Sequence, residues 1–219
     1  QKFGDVQQTP AGLQETMYTQ DMSAQLDAID TDAAIPEENV VASAQNDGTI
    51  ETETGQTAAF VDTTVIPTYL TVIDGKVGGK VPIQEYLTIR STSVKNPSAN
   101  SIMLGKFTPT MENGVANWSK AGPDSYIVRA GTESMYFNLG SEWEKIKEKY
   151  KLTDAEMFDY FNKPVLDDAI TNKKMIKFSH NPLEYPDSFL YFEWQHIKGK
   201  LGLTDEDLID MGGMLYVRQ

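Results

Sequence analysis

The sequence predicts an α/β (or α+β) fold: a mixed sheet with helices packed on it, preceded by an acidic, poorly ordered N-terminal segment. Three observations carry this reading. Residues 1–64 hold 12 acidic side chains and a single basic one, Lys2, whereas residues 65–219 hold 20 acidic and 18 basic. From residue 65 onward, short apolar runs alternate with amphipathic stretches, as strands alternate with helices. The phrase Glu-Trp-x-x-Ile-Lys-x-Lys-x-x-Leu-Thr-Asp occurs twice, 51 residues apart, beginning at Glu142 and at Glu193. Each copy reads as a helix, a turn and a capping Thr, followed downstream by an apolar run, Met175–Phe178 or Met214–Val217.

Two units follow from the charge break: residues 1–64, an acidic linker or loosely docked segment, and residues 65–219, an α/β body. The first has no Trp and only Phe3, Tyr18 and Phe60 as aromatics, too little apolar surface to offset ordering entropy. Short helical stretches are expected around Ala11–Met17 and Asp21–Ile29. The chain has no cysteine, which removes disulfides and thiolate metal sites and suits an exported protein. No apolar run approaches the roughly 20 residues of a membrane span. Starting on Gln1, the sequence reads as a processed product or an excised fragment.

Val65–Ile73, with Pro67 near its start, reads as an edge strand. Asp74-Gly75 makes a turn, Gly78-Gly79 adds freedom, and Pro82 opens a helix running to about Thr92. Asn96-Pro97-Ser98 is a loop, and Ser101–Phe107 a buried strand. Pro109–Asp124, rich in Gly, Pro and Asn around Trp118, reads as an exposed or lid-like loop. Ser125–Ala130 and Ser134–Asn138 are short strand candidates, too close together for a crossover, hence a mixed sheet.

Ser141 or Asn138 can cap the first Trp helix, which ends near Lys151. Thr153 with Glu156 forms a capping box for the next helix, which Pro164 is expected to break in two before Asn172. Met175–His180 returns as a strand, and Asp187 or Ser188 starts the second Trp helix. Thr204 with Asp207 starts a short helix, and Gly212-Gly213 turns into the last strand. Nine identities over 18 positions make the repeat a duplication or a convergence, and its Trp143 and Trp194 read as core anchors.

Two strand ends hold the candidate chemistry. His180 follows a strand, where α/β sheets place ligands and catalytic groups, and imidazole suits acid–base work near neutral pH. Lys106, after Leu104-Gly105, stands at a second such end and can stabilise a developing anion. Ser179 and His180 adjoin, which on a strand sends their side chains to opposite faces. Asn181, Tyr126 and Glu193 are the candidate substrate-binding residues beside Ser179, with Ser125 and Tyr136 near them. His196 reads as a helix-surface histidine. There is no phosphate-binding loop, because Gly75–Lys80 lacks the spacing and the following Ser or Thr. No metal site and no cofactor are expected, since two distant histidines and no cysteine offer no ligand set.

Several short motifs recur as a set: Met103-Leu104-Gly105-Lys106, Pro123-Asp124-Ser125-Tyr126, Tyr136-Phe137-Asn138-Leu139-Gly140 with Trp143, and Phe161-Asn162-Lys163-Pro164 with Leu166-Asp167. Phe178-Ser179-His180-Asn181-Pro182 and Gly212-Gly213 ahead of Tyr216 complete it. In these the chain, from about Ser101 to its end, resembles the C-terminal effector domains of bacterial polymorphic toxins of the Rhs and filamentous-haemagglutinin types. The resemblance implies secretion, delivery into the cytoplasm of a target cell, and neutralisation in the producer by a cognate immunity protein. It supplies a role in bacterial competition rather than a reaction.

The reading is therefore a toxin enzyme acting on nucleic acid or a nucleotide cofactor, a nuclease or an NAD-consuming hydrolase. His180 would be its acid or base and Lys106 its charge stabiliser. The near-neutral body is less basic than most nucleic-acid binders, which counts against the nuclease version. The alternative is a non-enzymatic interaction module of a large secreted surface protein, with Trp118 and its loop as the contact.

Overall fold

A computed structural model describes residues 65–218, so the expectations for residues 1–64 lie outside the described residues. Helices and mixed sheets make up the body, as the alternating pattern requires. Its entry is a three-stranded antiparallel meander, β1 (Val72–Ile73), β2 (Lys76–Val77) and β3 (Val81–Pro82). Asp74-Gly75 and Gly78-Gly79 form its two turns, all four residues at positive φ, the geometry that short hairpins demand. Gly78 is held rather than free, because a Cβ there would stand 1.8 Å from the Tyr160 hydroxyl. The expected long edge strand from Val65 is thus only two residues, since the chain around Pro67 turns instead of pairing.

Helix α1 (Ile83–Ser93) buries Tyr86, Arg90 and Ser93, spaced four and three residues apart on one face. β4 (Val94–Lys95) follows and pairs with β8 (Tyr136–Phe137). The central sheet runs β10 (Leu208–Asp210), β11 (Leu215–Val217), β9 (Met175–Phe178), β5 (Ser101–Leu104). β5 and β9 are parallel, with Ser101 opposite Met175 and Leu104 opposite Phe178, and the other pairs are antiparallel. All four β5 residues are buried, and Met135 bridges to its far edge. A strand covered on both faces should read as a continuous apolar run, and this one does.

Two segments differ from expectation. Pro109–Asp124 is mostly a hairpin, β6 (Pro109–Glu112) and β7 (Val115–Ala121), turning at Asn113 and Gly114 with φ of 52° and 78°. Asn-Gly favours that turn, so local chemistry overrides the loop-like composition. Ser125–Ala130 is a helical turn, α2 (Tyr126–Ala130), because the Arg129 N–H bonds back to Ser125 O rather than across to a strand.

The repeat gives α3 (Glu142–Tyr150) and α6 (Phe189–Leu201), with Trp143 and Trp194 both fully buried. Each copy closes the same ion pair, Lys147 to Asp154 at 2.5 Å and Lys198 to Asp205 at 2.7 Å. Both capping boxes form as expected. Trp143 packs edge-on to Phe189 and Trp194 edge-on to Phe178, so the first anchors α3 to the start of α6 and the second anchors α6 to β9.

Pro164 does not break its helix. The chain passes from α4 (Asp154–Met157) through a π-turn (Phe158–Asn162) into α5 (Lys163–Thr171). The Lys163 N–H reaches back five residues to Phe158 O, and Pro164 has no N–H to give. An α-helix would have used those two donors on Asp159 O and Tyr160 O. Instead Tyr69 donates to Asp159 O at 3.3 Å and Tyr86 to Tyr160 O at 2.8 Å. Two tyrosines, Tyr69 from the turn ahead of β1 and Tyr86 from α1, therefore replace the missing helical bonds.

Candidate functional site

Leu104 and Phe178 face each other at the ends of parallel strands, so the residues after them leave the sheet side by side. Ser179 N–H donates to Leu104 O at 2.8 Å, and Lys106 N–H donates to His180 Nδ1 at 3.2 Å. The two sequence candidates of highest weight, His180 and Lys106, thus meet. The Lys106 ammonium lies 4.1 Å above the centre of the Tyr185 ring, and His180 packs edge-on to the same ring at 6.4 Å. Tyr185 follows a 3₁₀ turn, Pro182–Glu184, whose cap is Asn181: its Oδ1 accepts from Leu183 N–H at 3.0 Å. Asn181 therefore builds the loop that carries Tyr185.

A main-chain N–H can only donate, so Nδ1 of His180 is an acceptor and the ring proton sits on Nε2. The imidazole is held below its ordinary pKa, first by burial and then by the Lys106 and Arg129 cations, with Asp124 opposing them. At neutral pH His180 is an uncharged ring offering an Nε2 proton. That suits hydrogen-bond donation to an oxygen better than proton abstraction at Nε2.

Ser179 and His180 do not point to opposite faces. The strand ends at Phe178, the chain bends, and Ser179 Oγ comes to 2.9 Å from His180 Nδ1. The hydroxyl is buried and also lies 3.4 Å from Leu104 O. Gly105 makes this possible, since a Cβ there would sit 1.8 Å from Ser179 Oγ and 2.9 Å from Tyr126 Cβ. Tyr126 is core: its hydroxyl donates to Phe137 O at 2.8 Å, and its ring meets Tyr136 edge-on. His196 is half-buried rather than on the surface, 2.7 Å from Asp167.

Lys106 also lines a cavity of about 50 Å³, together with Gly105, Phe107, Tyr126, Asn162 and Glu193 among others. That is room for one or two waters, far below the several hundred Å³ of a typical ligand pocket. Glu193 is buried, accepts from Asn162 Nδ2 at 3.2 Å, and is pushed up to about 7 by that burial, with the Asn162 bond opposing. Asn162 ends the π-turn and is itself 4% exposed, and its Oδ1 has no partner. Sequence reasoning found Glu193 but not Asn162, Gly105 or Tyr185. Asn162, in Phe161-Asn162-Lys163-Pro164, and Gly105 both stand in motifs that carry the family resemblance, which was the available signal.

Among the described residues, no group of three His, Cys, Asp or Glu side chains is placed to hold a metal ion. No family model matches the chain, and no curated protein or solved structure was found to be similar to it.

Proposed function

We propose that residues 65–219 are the effector domain of a secreted antibacterial polymorphic toxin, an enzyme acting on nucleic acid or a nucleotide cofactor in the cytoplasm of the target cell. The observation that carries this is that the Lys106 ammonium and the His180 imidazole both pack on the Tyr185 ring, at adjoining strand ends. Both are donors, so an anionic oxygen is the group they fit. The small net charge of residues 65–219 favours a nucleotide over a long nucleic acid, which would need a broad basic face. A cognate immunity protein would bind the domain in the producing cell. No helix among the described residues is long and apolar enough to cross a membrane.

The β6–β7 hairpin favours a second reading, a non-enzymatic interaction module. Its Met111 and Val115 are 65% and 68% exposed, and Trp118 stacks on Phe107 at its base. Inducing the full chain in the bacterial cytoplasm separates the two. The enzyme reading expects growth arrest with loss of NAD, tRNA or DNA, relieved by Lys106→Ala and by His180→Gln in variants that still fold. Harmless expression with all three pools intact rejects it and leaves the hairpin reading, which Trp118→Ala would then test in a binding assay.

A further inference from the structure

The main chain of Lys106 is bonded on both sides. Its N–H donates to His180 Nδ1 at 3.2 Å, and its carbonyl accepts from the Tyr126 N–H at 3.0 Å. The second bond fixes the start of α2 against the strand end that carries Lys106. Tyr126 and Ala130, four residues apart, turn inward to pack with Met103, and Met214 packs on the same cluster. Arg129 lies beside that inward face, with its side chain 30% exposed. Its Nη1 donates to Gly213 O at 3.2 Å, and its Nη2 donates to Asp124 Oδ1 at 3.2 Å. Arg129 is therefore held between the Pro123-Asp124 loop and the Gly212-Gly213 turn, close to the strand ends of Lys106 and His180.

The charges around His180 are unequal in strength. Lys106 and Arg129 both lie near enough to disfavour protonation of the ring, with Asp124 opposing them. Asp124 is 72% exposed, so water screens its attraction for Arg129, and an ion pair of that kind holds weakly. A guanidinium has five N–H donors in a planar fork, and the two bonds above leave donors for an incoming oxygen. The same fork matches the oxygens of a phosphoryl group.

We propose that Arg129 is an anion-binding residue of the Lys106–His180 site, that the Asp124 carboxylate occupies its fork where a phosphoryl oxygen would bind, and that the substrate carries a diphosphate. The inference rests on the effector reading and deepens it by naming the group that is recognised. Lys106 is held over Tyr185 and Arg129 against Gly213, so the two cations are separate points of charge. Two such points suit a diphosphate better than a single phosphate. Asp124 competes with the substrate for Arg129, so it weakens binding although it is part of the site.

The test titrates the purified full chain, carrying nitrogen-15 histidine, with inorganic phosphate, inorganic pyrophosphate and NAD in turn. The chain holds two histidines, so His180→Gln assigns the His180 ring signals by their loss. Pyrophosphate and NAD should shift those signals to saturation and leave the His196 signals in place. Phosphate should bind at least ~10-fold more weakly than pyrophosphate. Arg129→Gln should weaken pyrophosphate binding ~10-fold, and Arg129→Lys, which keeps the charge without the fork, should fall between. Asp124→Asn should bind pyrophosphate ~3-fold more tightly than wild type, because the competing carboxylate is gone. A purely structural Arg129–Asp124 pair predicts weaker or unchanged binding in Asp124→Asn, so this variant decides even where Arg129→Gln fails to fold. Binding of both probes identifies a nucleotide as the source of the diphosphate, and binding of pyrophosphate alone a free diphosphate. No saturable shift with either probe, binding that Arg129→Gln leaves unchanged, or phosphate binding as tight as pyrophosphate overturns the proposal. If that result comes with growth arrest on induction, the effector reading stands without it. Binding with harmless expression removes the effector reading and leaves the diphosphate site.

Discussion

The main-chain N–H of Lys106 and the Nδ1 of His180 are hydrogen-bonded across two parallel strands, 3.2 Å apart. The bond ties the imidazole to its neutral form, because a proton on Nδ1 would face a second donor. Its pKa is lowered from the ordinary 6.5, chiefly by burial. As pH falls the unfolded chain takes up the proton first, so the stability held by neutral His180 is complete above pH 6.5. It is lost as pH drops from there towards the folded value. Urea unfolding at pH 7.5, 6.5 and 5.5 should show wild type losing more stability than His180→Gln. Parallel losses would mean that the ring is not held neutral.

Glu193 should give the opposite slope. Its carboxyl titrates at about 7 in the fold against 4.5 when unperturbed, so the folded chain binds the extra proton between those values. Stability is then full below pH 4.5 and falls as pH rises through 7. Glu193→Gln removes this loss, and relative to wild type it should gain about 3 kcal/mol between pH 4 and pH 8. A gain that does not change with pH would place the carboxyl in contact with water.

Gly105 is small because Ser179 and Tyr126 occupy the space a side chain would need. Gly105→Ala should cost roughly 1–3 kcal/mol from overpacking and push Ser179 away from His180. Ser179→Ala removes the nearest obstructing oxygen, so the double variant should recover part of the loss. A thermal melt of the three variants measures this, and additive losses would contradict the contact.

Local chemistry made much of this fold legible. Thr153 with Glu156, Thr204 with Asp207, and Ser188 cap their helices as their spacing requires, since a cap is decided within four residues. Trp143 and Trp194 are buried because nothing else in the repeat is so large and apolar. The site was half legible. The strand ends mark Lys106 and His180, but their contact depends on parallel pairing between segments more than 70 residues apart. Ser179 reaches His180 only because the strand stops at Phe178, two residues short of the end expected at His180. Tyr126-Ile127-Val128 has strand-forming side chains and is helical, because Lys106 O takes the Tyr126 N–H and the chain must turn there. Asn162 owes its place to a π-turn, which no local signal other than Pro164 announces.

That π-turn can be tested through the tyrosines that complete it. Tyr86 donates to Tyr160 O at 2.8 Å, the bond that the residue at position 164 would make in an α-helix. Tyr86→Phe leaves a buried carbonyl without a donor and should cost roughly 1–3 kcal/mol. Pro164→Ala restores an N–H two residues beyond Asn162, so Tyr160 O can be satisfied from within the helix. The double variant should therefore be more stable than the sum of the single losses, with a coupling of roughly 1 kcal/mol. Tyr69→Phe should couple to Pro164→Ala less, because its bond to Asp159 O is longer, at 3.3 Å, and lies nearer solvent. Strict additivity between Tyr86→Phe and Pro164→Ala in urea unfolding would show that the tyrosine does not replace the proline's missing donor, and the account of how Asn162 reaches the cavity would fall with it.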